Sequence, residues 1–318
     1  ARGVFSMVSR ESALVANNLL LAVSAFVVFI GTVWPLFAEM FWDRKLSVGA
    51  PFFDAAFSPF MVALALLLPV GAMLPWKRAQ VGRVLRQLVP AMVFALACAA
   101  LAYAMQTGRS ALGPVGAALG AWVVMGALTD LWTRTGRGQV AGRIARLGRL
   151  PRADWGKATA HTGLGITIFA VAAMTSWAVE VIKVVQIGES FTMQGYDIRL
   201  AKVEEVEGPN YLSTTATMEV SRNGRAVTTL YPEKRVYPVQ AMPTTEAALD
   251  YGLFRDIYLV IGDPQENGGW AVRGYWKPFA NWIWLGSILM AAGGLLSLSD
   301  RRWRVASGAR RAQAVAAE

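Results

Sequence analysis

Six stretches of this sequence contain no Asp, Glu, Lys or Arg: 19–38, 57–76, 88–106, 110–129, 158–179 and 278–299. Each is 19 to 22 residues long, and at helical rise about 20 apolar residues cross the roughly 30 Å of a bilayer's hydrocarbon core. The sequence therefore predicts an α-helical polytopic membrane protein with six transmembrane helices. Charged residues make up 16% of the chain, against about 25% in soluble domains.

The charges sort by side. With the start of the chain placed in the cytoplasm, the connections 1–18, 77–87, 130–157 and 300–318 hold 18 of the 31 basic residues, among them Arg134, Arg137, Arg143, Arg146, Arg149, Arg152 and Lys157. The short connections on the other side carry only Arg44, Lys45 and Arg109. That is the positive-inside asymmetry, and it predicts cytoplasmic termini. The net charge of +10 is thus a topology signal. Basic residues confined to bilayer edges argue against a nucleic-acid partner and for membrane lipids. Val140, Ile144, Leu147 and Leu150 recur at helical spacing among the arginines. They fit a surface helix on anionic headgroups, or else a solvated basic loop.

Residues 180–277 differ in kind, with ten basic and thirteen acidic residues. Segments 196–206, 211–221, 225–231, 256–262 and 270–276 are rich in β-branched and aromatic residues and read as strands. Asn223-Gly224 supplies a tight hairpin turn, and Asp263-Pro264 with Gly268-Gly269 another reversal. The predicted organisation is a membrane domain of five helices over 1–179, a small β-rich domain over 180–277 inserted between spans five and six, and a sixth helix with a basic tail over 278–318. Trp270, Trp276, Trp282 and Trp284 suggest an interfacial aromatic belt where the chain re-enters the bilayer.

Ionisable residues within spans mark functional candidates. The only histidine, His161, lies one turn into span five on a face with Ala158, Gly165 and Ile168. Small neighbours leave room for a flat macrocycle bound through the imidazole. They equally serve close helix packing with an interhelical hydrogen bond, and spacing alone leaves both open. Glu39 and Asp130 fall at span ends and are expected to be solvated. Lys157, one turn before His161, is expected to snorkel to the interface, or else to pair with a propionate of such a macrocycle. Cys98, the single cysteine, is expected to be a small packing residue. The sequence carries no Cys/His metal cluster, phosphate-binding loop or dinucleotide fingerprint, and no inverted repeat of the transporter kind.

Several segments are familiar. SRESALVANNLLL (9–21), GTVWPL (31–36), SVGAPFF (47–53), AHTG (160–163), GPNY (208–211), YPEKRVYP (231–238) and KPFANWIWLG through SDRRWR (277–304) resemble the C-terminal half of the CcmF family of cytochrome c maturation proteins. The resemblance runs along almost the whole chain. It implies a subunit of a bacterial inner-membrane haem lyase that attaches haem to the Cys-x-x-Cys-His motif of apocytochrome c, with the β-rich domain periplasmic. It also implies that haem arrives on CcmE, that CcmH and CcmI present the apocytochrome, and that a structural haem b in the membrane has two histidine ligands. His161 matches the second of these, and is by that resemblance a metal ligand and cofactor-binding residue; no catalytic residue is assigned. The family's tryptophan-rich segment, its periplasmic histidines and its first transmembrane histidine are absent. The chain is therefore expected to act with an N-terminal half and to be inactive alone. A scaffold that docks maturation partners without ligating haem, and the nitrite-reductase paralogue, are the competing readings.

Overall fold

The computed structural model describes residues 8–77, 80–106, 111–239, 242–266 and 268–300. The resemblance segment 277–304 runs partly beyond them, as does the basic tail. Internal contacts divide the chain into two compact units, one of residues 1–100, 115–169 and 285–318, the other of residues 101–114 and 170–284.

The helices are α1 (Arg10–Trp42), α2 (Ala50–Ala56), α3 (Ser58–Met73), α4 (Val81–Met105), α5 (Leu112–Arg134), α6 (Val140–Leu147), α7 (Arg152–Trp177) and α8 (Ala280–Leu298). Five of them, α1, α4, α5, α7 and α8, are each long and apolar enough to cross a membrane. The stretch 57–76, expected to form the second span, holds only α3, 16 residues long; α2 precedes it, and the two helices are bent by 44° at Phe57. Pro51 and Pro59 open the two pieces, in the first turn where the missing N–H of a proline leaves no hydrogen bond unmade. The count is six only if that pair is one span.

α1 begins at Ser9, whose Oγ accepts a hydrogen bond from the Ser12 amide at 3.2 Å. This is the N-cap arrangement that satisfies an otherwise orphaned donor. Its far end is fixed by close approach to α2, since a side chain at Gly31 would run into the rings of Phe52 and Phe53. Large apolar side chains on α1 and α4, including Phe26, Phe29, Val93 and Leu96, stay exposed, as expected of surfaces solvated by lipid. Inside the unit, Leu88, Ala91, Trp122 and Val123 form a buried core with Ala65 and Leu74. Cys98 packs against this core, in keeping with a small packing residue.

α6 gives structure to the basic connection. Two of its arginines turn back on α5 rather than outward. Arg143 donates to Trp132 O at 2.7 Å and stacks over the Trp132 ring, while Arg146 donates to Thr135 O at 2.6 Å. Cations on the last carbonyls of a helix satisfy free acceptors and oppose its dipole.

In the second unit all ten strands are antiparallel. β1 (Val179–Val185), β8 (Ala248–Tyr251), β9 (Arg255–Pro264) and β10 (Trp270–Pro278) form one sheet in the order β1-β10-β9-β8. β2 (Ser190–Met193), β3 (Tyr196–Glu207), β4 (Leu212–Arg222), β5 (Arg225–Leu230), β6 (Glu233–Tyr237) and β7 (Met242–Glu246) form the other, ordered β2-β3-β4-β6-β7, with β5 also on β4. Period-two alternation buries Ile257, Leu259 and Ile261 from β9 against Ile198 and Leu200 of β3 and Met218 and Val220 of β4. The β4–β5 turn is the one the sequence predicts. Asn223 and Gly224 have φ of 52° and 73°, the pair of left-handed residues a type I′ hairpin requires.

Candidate functional site

α7 carries glycines on two faces, and each is occupied by another helix. A side chain at Gly156 would meet Gly293 O and Ser297 N, and one at Gly163 would meet Gly286 O at 2.5 Å and Met290 N at 2.7 Å. Seven-residue spacing on both helices thus zips α7 to α8. A side chain at Gly165 would meet Gly120 O at 2.7 Å and Val124 of α5. The small residue one turn beyond His161 therefore accommodates a helix. Of the two uses that spacing leaves open for the small neighbours of His161, close helix packing is the one seen at Gly165.

His161 and Lys157 lie between these two faces and line a cavity of about 510 Å³. The opposite walls are α1, from Ser9 to Leu20, and α3, from Leu64 to Gly71, with Leu74 and Val81 at one end. Most of the lining is aliphatic; Ser9, Arg10, Ser12 and Asn17 supply its polar groups together with Lys157 and His161. The start of α1 is tied to the segment that follows α3. The Arg10 amide donates to Pro75 O at 3.2 Å, and the Lys77 amide donates to both carboxylate oxygens of Glu11 at 2.9 and 3.1 Å. Trp122 Nε1 donates to Leu66 O at 3.1 Å and braces α3 from behind. His161 is half-buried, and no hydrogen bond to it occurs among the described residues.

Beside the cavity, Asp130 is 4% exposed and not solvated, contrary to the expectation from its place at a span end. Its carboxylate pairs with Lys157 Nζ and, at 3.2 Å, with Arg134 Nε; Arg134 also pairs with Asp154 at 2.8 Å. Two acids and two bases balance, as a buried ionic cluster requires. Lys157 neither snorkels nor stands free, because it is held in this network by α5. Glu39 is exposed as expected.

The tryptophan belt divides. Trp270 and Trp276 pack against the core between the sheets, whereas Trp282 and Trp284 lie in the first turns of α8. Phe254 joins them, 6.1 Å from Phe279 and 6.2 Å from Trp282 by ring centroid. Sequence reasoning missed Phe254. An isolated aromatic in a short loop carries no periodic signal.

The chemistry available here is that of a ligand cavity in an apolar helix bundle. It offers one uncommitted imidazole on a rigid helix, aliphatic walls and cationic groups among the few polar ones. A volume of about 510 Å³ lies within the roughly 300–1,000 Å³ range of small-molecule and cofactor sites. Among the described residues no group of three or more His, Cys, Asp or Glu is placed to hold a bare metal ion. A metal bound through His161 would need to bring most of its own coordination sphere, as a porphyrin does.

Fold and cavity define a bundle of apolar helices that carries a β-sandwich and presents a single imidazole in a ligand-sized cleft. The family profile described as the CcmF C-terminal beta-sandwich matches residues 176–278. The cytochrome c-type biogenesis protein Ccl1 of Rhodobacter capsulatus is 64% identical over 321 residues, covering 100% of this chain and 48% of that protein. Escherichia coli CcmF is 38% identical over 297 residues, 93% of this chain and 44% of that one. In Haemophilus influenzae the biogenesis protein CcmF is 37% identical and its relative NrfE 28%. A solved structure of the cytochrome c haem lyase CcmF superposes with a TM-score of 0.69 over 92% of this chain and 46% of that one, at 22% identity, a likeness of fold. The chain belongs to the CcmF family of cytochrome c biogenesis proteins and corresponds to their C-terminal part. It spans about half the length of the curated relatives it matches.

Proposed function

We propose that this chain is the C-terminal portion of a cytochrome c haem lyase subunit of the bacterial inner membrane. Together with an N-terminal half it joins haem covalently to the Cys-x-x-Cys-His motif of apocytochrome c. In this reading residues 1–179 and 278–318 supply the six membrane spans, with α2 and α3 as one broken span and both ends cytoplasmic, and residues 180–277 supply a periplasmic domain. Its partners are the N-terminal half, CcmH with CcmI, haem-loaded CcmE and the apocytochrome. The higher identity to CcmF than to NrfE from one organism supports the general over the nitrite-reductase branch.

The observation that carries the site is the position of His161 in the wall of the cavity between α1, α3 and α7. His161 is assigned as one of the two residues that would hold a membrane haem b, the other belonging to the N-terminal half. Haem, when bound there, would supply single-electron chemistry, and His161 would hold it together with an imidazole from the N-terminal half. The protein's contribution is rigidity and an apolar setting. α7 is zipped to α8 and wedged on α5, which fixes the backbone that carries the imidazole, and Leu20, Leu64, Leu67 and Leu68 make the cavity wall apolar. Asp130 holds Lys157 in place and offsets its charge beside the ligand.

Coexpression of this chain with its N-terminal half in a host that lacks both tests the assignment. His161→Gly is expected to abolish holocytochrome c formation while both halves still copurify. Normal holocytochrome yield from the variant would refute the role of His161. Deleting residues 180–277 is expected to lose at least one of CcmH, CcmI or CcmE in copurification, and retention of all of them would remove the docking role.

A further inference from the structure

The loop Gly252–Phe254 that joins β8 to β9 is bound to the start of α8 through all three of its carbonyls. Asn281 Nδ2 donates to Gly252 O at 2.9 Å, Trp282 Nε1 donates to Leu253 O at 2.9 Å, and the Phe279 amide donates to Phe254 O at 2.9 Å. Asn281 Nδ2 also reaches Asp256 Oδ1 at 3.0 Å, which accepts the Gly252 amide at 3.1 Å. Asp256 is 6% exposed, so this is a closed polar clamp. Gly252 is required in it, because a Cβ there would lie 2.5 Å from Arg255 O.

The clamp uses the backbone of the loop and leaves its side chains outside. Leu253 is 64% exposed, Phe254 59% and Tyr251 69%, and Trp284 on α8 is 71% exposed. A loop tip normally carries small polar residues, and two adjacent large apolar side chains held outward by a rigid clamp call for a partner. The helix they are clamped to identifies it. α8 is apolar enough to span a membrane, and Asn281, Trp282 and Trp284 in its first turns mark the headgroup level, where amphipathic aromatics settle. Hydrogen bonds to residues 279–282 place Leu253 and Phe254 within about one helical turn, roughly 5 Å, of that level.

We infer that the Gly252–Phe254 loop is a lipid-dipping foot: Leu253 and Phe254 insert among the phospholipid chains of the leaflet that faces the β-sandwich. Apolar groups in the plane of the interface reach about 5–10 Å into the headgroup and acyl boundary, within the length of a Phe or Leu side chain from a backbone at headgroup depth. The sandwich is then held to the bilayer at three places, its two covalent connections to α7 and α8 and this foot. A third attachment fixes its height and tilt over the membrane.

The single cysteine makes a direct test available. In a Cys98→Ser background of the full chain, Leu253→Cys and Phe254→Cys are labelled with an environment-sensitive NBD fluorophore, with Arg225→Cys on the β4–β5 hairpin as the reference. Proteins are placed in phosphatidylcholine–phosphatidylglycerol bilayers, with and without the N-terminal half. The foot is expected to show blue-shifted emission at 253 and 254. A lipid spin-labelled near the head of its acyl chain is expected to remove most of that emission, while aqueous iodide removes little; at 225 the two quenchers are expected to reverse. Iodide quenching at 253 and 254 equal to that at 225 overturns the inference. Protection from both quenchers also overturns it, and assigns the patch to a protein surface instead.

Discussion

The buried cluster beside the cavity yields a prediction with a sign and a size. Asp130→Ala removes the carboxylate that pairs with Lys157 Nζ and leaves that ammonium in a site where its side chain is 20% exposed. Removing one partner of a buried pair costs about 3–5 kcal/mol because the remaining charge is uncompensated. Arg134 suffers less, since it keeps Asp154 at 2.8 Å. Lys157→Met leaves Asp130 with Arg134 at 3.2 Å, and the loss of one charge-assisted hydrogen bond then costs about 1.5–3 kcal/mol. In the double variant no charge is stranded. Replacing both ions of a buried pair by apolar groups is often near neutral, so Asp130→Ala with Lys157→Met is expected to be more stable than Asp130→Ala alone. The assay is SDS-induced unfolding of the purified chain in mixed micelles, followed by tryptophan emission. The double-mutant cycle should return a coupling of about 2 kcal/mol or more, well above the additivity expected of independent sites. Costs that simply add, or a single Asp130→Ala cost below about 1 kcal/mol, would refute the account of these residues as one balanced buried network.

Gly163→Leu is expected to separate α7 from α8, because no rotamer avoids Gly286 O and Met290 N; a loss of monodisperse protein on size exclusion checks it, and Gly294→Leu, which meets nothing within 4 Å, should be tolerated. Leu259→Ala, at a fully buried position between the sheets, should cost about 2–5 kcal/mol and lower the melting temperature of the sandwich by strand circular dichroism. Gly224→Val forces a β-branched residue to φ 73° and should destabilise the hairpin by about 1–3 kcal/mol, read as faster amide exchange at Val220 and Thr228.

Much of this architecture is legible in the sequence, and the parts that are not share a physical reason. Five strands, β3, β4, β5, β9 and β10, announce themselves by β-branched and aromatic runs between turn residues. β1 does not, because Val179–Val185 follows α7 with only Ala178 between them and no turn residue marks where the strand begins. β2 and β8 are four residues each, too short for alternation to register, and β6, Glu-Lys-Arg-Val-Tyr, has the composition of a solvated loop. The second apolar stretch has the length of a span by hydropathy, yet its helix α3 stops at Met73 after 16 residues and reaches span length only with α2, which precedes the stretch. His161 stands out as a singular residue in a span, but the walls opposite it come from α1 and α3. Their cavity-facing leucines look like any lipid-facing leucines. The Asp130–Lys157 pair was invisible for a related reason, since each residue merely ends an apolar run and nothing local joins positions 27 apart.

The central claim is that His161 binds haem iron in concert with the other half of the protein, and the most direct measurement is the reduced visible spectrum of the copurified halves. With His161 present, the account predicts the α and β bands of a low-spin b-type haem. With His161→Gly these bands are expected to disappear, and added imidazole is expected to restore them by refilling the vacated coordination position. A glycine variant that keeps the unaltered low-spin spectrum without imidazole would contradict the assignment and return α7 to a purely packing role.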